Sequence, residues 1–174
     1  MNKRLDEEKC QRLFEEYGTP EHVRGHCRAV SDTGYRIALA LNRAGMNLDA
    51  ELVKYAGLIH DLMRVHENHG EEAAKVLRSL GYIDEAGVVE NHMHYDFPKE
   101  GDPDETDIVC LADRLVCEDE YVGLDRRLDY LINKPGKTEE RTRRLLEKKK
   151  DTEDFISRIE EKMGCTIDSL FAED

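Results

Sequence analysis

The chain reads as an all-α protein, and three observations predict it. Leu, Ala, Glu, Lys and Arg are abundant, whereas aromatic residues make up only 6% and Trp is absent. Helix formers thus dominate over the aromatic and β-branched residues that strands favour. Apolar residues recur at spacings of three and four instead of two. Gly, Pro and capping residues punctuate the chain at helix-length intervals. Its 174 residues suffice for one domain with one core.

Taken in order, residues 3–16 predict a short amphipathic helix with Leu5, Leu13 and Phe14 on one side, ended by Gly18. Thr19-Pro20-Glu21 opens a second helix, with Thr19 as cap and Pro20 in the first turn. Its stripe of Val23, Cys27, Val30, Gly34, Ile37 and Leu41 carries it to about Ala44, before Gly45. Asp49 caps a third helix, YAGLIHDLM at its end, which is apolar nearly all round and is expected to be the central buried one. A turn at His66–His69 leads to a helix over Gly70–Leu80, stopped by Gly81. Another is predicted over Asp84–His94. The segment 95–107 reads as a loop, and an apolar helix follows at Ile108–Val116. A short helix at Leu124–Ile132 is broken by NKPG, and a long, highly charged helix spans Thr138–Met163. No strand pattern of consequence is present. The chain therefore divides into an N-terminal helix (1–18), a helical domain (19–125) and a charged C-terminal helical extension (126–174).

Net charge is −13, a field that repels nucleic-acid backbone. The basic run RTRRLLEKKK is bracketed by acids and reads as a solvated helix face. Five cysteines without CxxC spacing fit a reduced protein better than a disulfide framework. No long apolar run or signal-peptide core is seen, so a soluble cytoplasmic protein is expected.

The chemistry gathers at the adjacent His60-Asp61 pair. An imidazole and a carboxylate in an apolar run are costly unless something binds them, and a divalent metal needs several such ligands at one point. His26 shares the side of Val30 and Ile37 on the second helix. Asp113 shares a face with Val109 and Val116. Taken singly, each has a plainer reading: a hydrogen-bonded core histidine, a chance dipeptide, an aspartate paired with arginine. Together, three helices present His, His-Asp and Asp inward.

The ordered set His26, His60-Asp61 and Asp113, in the contexts TPEHVRGHCRAV, LIHDLMR and CLADRLV, resembles the HD superfamily of metal-dependent phosphohydrolases over about residues 19–125. That resemblance implies an HD-type domain in which these four residues hold a metal. Some HD enzymes hold two metals with two further histidines between the HD pair and the last aspartate. His69-Gly70 and His92 occupy those places, with His66 as the rival of His69, and the pattern resembles the diadenosine tetraphosphatase type. His94, about 200° round from His92 on a helix, should not serve the same ion.

The expected cofactor is one or two divalent ions: Mn, Fe, Co, Ni, Zn or Mg. The expected reaction is hydrolysis of a phosphoester or phosphoanhydride of a nucleotide or other small phosphate by metal-activated water. Asp61 orients that water or takes its proton. Arg64, one turn after His60, is both a catalytic candidate and a phosphate-binding one; its plainer reading is an ion pair, for example with Glu67. His22 lies one turn before His26, at the entrance or the surface. Arg114 is expected to make a structural pair. Two rival readings are a non-catalytic HD module that binds metal or nucleotide for regulation, and an interaction protein working through the charged helix. Substrate identity, metal identity and oligomeric state are not legible in this pattern.

Overall fold

In a computed structural model, residues 3–172 form eight α-helices, two short 3₁₀ turns and a two-stranded ribbon. The helices are α1 (Glu7–Glu16), α2 (Glu21–Arg43), α3 (Ala50–Ile59), α4 (His69–Leu80), α5 (Ile83–Glu90), α6 (Glu105–Leu115), α7 (Leu124–Asn133) and α8 (Glu139–Met163). The ribbon pairs β1 (Val116–Cys117) with β2 (Glu120–Tyr121) in antiparallel register. The protein is all-α apart from this ribbon, whose two-residue strands are too short to show alternation in the sequence.

Helix α3 is the centre. It packs against α2, α6, α5 and α1, and Val53, Ala56, Gly57, Leu58 and Ile59 are all buried. Asp49 caps it by accepting from the Leu52 amide at 3.0 Å.

Several boundaries differ from the sequence reading. Helix α1 begins at Glu7, not residue 3, because Asp6 caps it by accepting from the Lys9 amide. Helix α3 stops at Ile59, so His60 and Asp61 lie just beyond it, where the backbone tightens into i→i+3 turns (Leu62 N to Ile59 O, 3.0 Å; Arg64 N to Asp61 O, 3.0 Å). Thr19 does not cap α2. Its hydroxyl donates to the Leu62 carbonyl at 2.8 Å, tethering the turn that carries His60-Asp61. The predicted 84–94 helix ends at Glu90; His92–His94 form a separate 3₁₀ turn. Helix α6 starts three residues earlier than expected. The acidic run DETD is a capping box, with Asp104 accepting from the Asp107 amide and Asp107 accepting from the Asp104 amide, both at 2.9 Å.

The charged helix packs on the core. Its Phe155 and Ile159, with Ile167 beyond it, belong to the same apolar cluster as Ile37, Val53, Ile108 and Leu111. Phe155 stacks flat on Phe97 at 4.3 Å between centroids. The polar face of α8 straps the loop after His94: Lys148 pairs with Asp96 (3.1 Å), Lys162 with Asp102 (2.6 Å), and Arg158 donates to the Gly101 carbonyl (2.7 Å). None of the described helices is long and apolar enough to cross a membrane.

Candidate metal centre

Four imidazoles line up across one end of α3. His26 from α2, His60 beyond α3, His92 beyond α5 and His69 at the start of α4 stand with ring centroids 5.4, 5.0 and 5.2 Å apart in that order. Asp61 and Asp113 complete the set. His60, Asp61, His69 and His92 are buried.

Asp61 lies between two groups and turns one oxygen to each. Its Oδ1 is 3.1 Å from His69 Nε2 and 3.3 Å from His92 Nε2. Its Oδ2 is 3.6 Å from His60 Nε2 and 3.5 Å from Arg64 Nε. Asp113 Oδ1 faces the first group, 2.9 Å from His26 Nε2 and 3.7 Å from His60 Nε2. Donor atoms of His26, His60 and Asp61 lie within 4.8 Å of one another, as do those of Asp61, His69 and His92.

Hydrogen bonds assign the tautomers. Nδ1 of His26 donates to the Glu118 carbonyl (3.0 Å), that of His60 to Gly57 (2.7 Å) and that of His92 to Val89 (2.7 Å). A neutral imidazole that donates from Nδ1 presents a lone pair at Nε2. Three such lone pairs therefore point at carboxylate oxygens, acceptor against acceptor. His60 Nε2 is shielded from solvent and has no hydrogen-bond partner among the described residues. A cation between them relieves this, and backbone carbonyls that fix the opposite nitrogen are the usual support of a metal-bound histidine. The donor set, imidazole nitrogen and carboxylate oxygen, fits a divalent transition metal.

Without that cation a proton does the same work. Burial opposes a charge on His60, but the Asp61 carboxylate overrides it and pushes the imidazole well above its usual value. Burial likewise opposes ionisation of Asp61 and Asp113, yet His60, His69 and His92 around the first and His26 and His60 around the second hold both carboxyls well below the carboxylate range. Metal must therefore displace protons. Apparent metal affinity is expected to fall as pH falls from 8 to 6, and calorimetry in buffers of different ionisation enthalpy should register proton release on binding. A pH-independent affinity would contradict the assignment of these lone pairs.

Two close approaches shape the site. Gly70 follows His69 at the start of α4; a Cβ there would lie 3.2 Å from the Val89 and Glu90 carbonyls and 3.4 Å from His92 Cε1. Its lack of a side chain brings the two histidines of the second group together. Gly25, before His26, lets the ribbon tip approach, since a Cβ would meet Asp119 Cβ at 3.3 Å. Within that tip Glu118 holds a left-handed backbone (φ 54°), which aims its carbonyl at His26.

Of the other residues singled out in the sequence, His66, His94 and His22 are exposed, and His69 is the one set against Asp61. Arg64 lies at the mouth with its side chain 54% exposed, paired to Asp61 instead of Glu67. Arg114 is structural, but through a hydroxyl, a carbonyl and a ring: it donates to Thr152 of α8 (2.9 Å) and to the Tyr95 carbonyl, and lies over Phe97 at 4.4 Å. The orienting carbonyls of Gly57, Val89 and Glu118 escaped the sequence reading, because a main-chain acceptor has no side-chain signature.

A buried cluster of imidazoles around paired acids, on a helical scaffold, defines a protein built to hold divalent metal. The chain belongs to the HD-domain family, whose model matches residues 23–116. An uncharacterised protein of Methanocaldococcus jannaschii is 32% identical over 143 residues, an alignment that covers 72% of this chain and 85% of the relative. No solved structure matches.

If the second group holds its own ion, His92→Ala should lower bound metal from about two equivalents per chain towards one. Elemental analysis after desalting checks this; an unchanged ratio would remove His92 from the ligand set.

Proposed function

We propose that this protein is a metal-dependent phosphohydrolase that cleaves a phosphoester or phosphoanhydride bond of a small phosphorylated molecule such as a nucleotide. The observation that carries the reading is Asp61, buried and ionised, with one oxygen turned to each group of imidazole nitrogens. His26, His60, Asp61 and Asp113 would hold one divalent ion, and Asp61, His69 and His92 a second. Metal bound there supplies Lewis acidity that makes water a nucleophile near neutral pH and offsets charge on phosphoryl oxygens. Asp61 orients the attacking water while remaining a carboxylate. Arg64, exposed at the mouth, presents a planar guanidinium to the phosphoryl oxygens. Val65 and Met93, chain neighbours of Arg64 and His92, are exposed apolar side chains suited to the non-phosphate part of a substrate.

The acidic chain does not oppose an anionic substrate, because its diffuse field is screened over about 8–10 Å whereas bound metal and Arg64 act at contact. The test is turnover of a panel of nucleotides and phosphoesters by protein loaded with Mn²⁺, Co²⁺, Ni²⁺ or Mg²⁺. Metal retained without turnover of any member would favour a binding module. Arg64→Ala is expected to raise KM about 10-fold, with a smaller effect on kcat, as befits one charge-assisted contact made in ground and transition states alike. An unaltered KM would return Arg64 to a purely structural pair with Asp61.

A further inference from the structure

Outside the family match, the turn between α7 and α8 gathers charge of the opposite sign to the rest of the chain. The segment NKPGK reverses direction there, and Lys137 folds in so that its Nζ is shielded from solvent and has no hydrogen-bond partner. Arg127, Lys134 and Arg141 lie near enough to act on that ammonium. Among the described residues none of these four cations makes an ion pair; Arg127 and Lys134 instead face the Tyr130 ring at 5.9 and 5.2 Å. Their neighbours behave otherwise: Arg144 pairs with Glu140 (2.6 Å), Arg143 with Glu147 (3.7 Å) and Lys149 with Asp125 (2.7 Å). Burial and then the three cations depress the Lys137 pKa below the lysine value. In a chain of net charge −13, four unpaired cations at one turn make a local patch of positive potential.

Beside them lies an open surface groove of about 620 Å³. Lys137 and the Thr138 and Thr142 side chains line its polar side, Ile132 and Leu146 its apolar side. Leu146 is 51% exposed, an apolar side chain without a cover. Glu139 and Glu147 also line the groove, and Glu147 is engaged by Arg143.

We propose that this groove binds a small phosphate monoester with an apolar or aromatic body. The phosphate sits against Lys137 and the threonine hydroxyls, within the field of Arg127, Lys134 and Arg141, and the body rests on Ile132 and Leu146. The site shares no residue with the metal centre, so the two readings stand or fall separately.

Full-length protein stripped of metal with EDTA is titrated calorimetrically with adenosine 5′-monophosphate and, separately, with inorganic phosphate. One adenosine monophosphate per chain is expected with Kd below ~1 mM, and phosphate alone at least ~10-fold weaker. Lys137→Gln and, independently, Arg141→Gln are expected to weaken binding ~10-fold or more with helicity unchanged, while Arg64→Ala leaves it within about 2-fold. No binding up to ~10 mM, binding indifferent to Lys137→Gln and Arg141→Gln, or binding lost with Arg64→Ala overturns the proposal. Equal affinity for inorganic phosphate overturns the role given to Ile132 and Leu146.

Discussion

Replacing Asp61 with alanine is expected to strip any divalent metal held by either group. Among the described residues no other side chain faces both: its Oδ1 meets His69 and His92, its Oδ2 meets His60. The second group keeps two imidazoles and no carboxylate, and the first keeps His26, His60 and Asp113 as its one carboxylate. Removing a residue that merely supports a ligand already lowers metal affinity 10–100-fold, so losing a shared anionic ligand should lower it more than ~100-fold. Hydrolysis should vanish with the metal. Helicity should survive, because Asp61 lies in the turn beyond α3 and no helix hydrogen bond depends on its side chain. Elemental analysis and far-UV circular dichroism check the two halves. Metal retained near wild-type level would show that Asp61 is a structural acid and that the imidazoles are tied by protons alone.

Phe155→Ala is expected to destabilise the whole domain. Phe155 is 2% exposed and lies in the central cluster, flat against Phe97, whose ring also carries the Arg114 guanidinium. Truncating a buried Phe costs about 3–5 kcal/mol, a large fraction of the ~5–15 kcal/mol that holds a domain together. For a chain of this length the melting temperature should fall by roughly 10 °C. The consequence reaches the metal centre. Phe97, Tyr95 and Arg114 form the joint between α8, the loop after His92 and the residue next to Asp113. Metal held by the His69 and His92 group should therefore bind more weakly in this variant than in the wild type. Urea denaturation with metal titration checks this. A loss below about 1 kcal/mol would mean that α8 rests on the domain without supporting it.

Much of the site was legible because its chemistry is carried by side chains in periodic settings. His26 beside Val30 and Ile37, and Asp113 beside Val109, are polar residues on apolar stripes, and such residues declare that something waits inside. His69 could be told from His66 only in three dimensions, where Gly70 lets α4 close on His92. Helix boundaries failed where a side chain competes with the main chain. Thr19 reads as a cap but serves the Leu62 carbonyl; His92 takes the Val89 carbonyl where a continuing helix was expected; Asp104 and Asp107 cap each other inside what looked like loop. The ribbon that aims Glu118 at His26 is two residues per strand, too short to leave a period. The charged helix hid its role because its apolar points are sparse, and only packing shows Phe155 and Ile159 entering the core.

The most direct measurement is anomalous diffraction from crystals grown with Mn²⁺ or Co²⁺. The expected result is a peak within bonding distance of His60 Nε2, flanked by His26, Asp61 and Asp113, and a second between Asp61, His69 and His92, each about 2.0–2.2 Å from its nitrogen and oxygen ligands. Empty density at the first position under saturating metal, with protonated imidazoles hydrogen-bonded to Asp61 and Asp113, would contradict it.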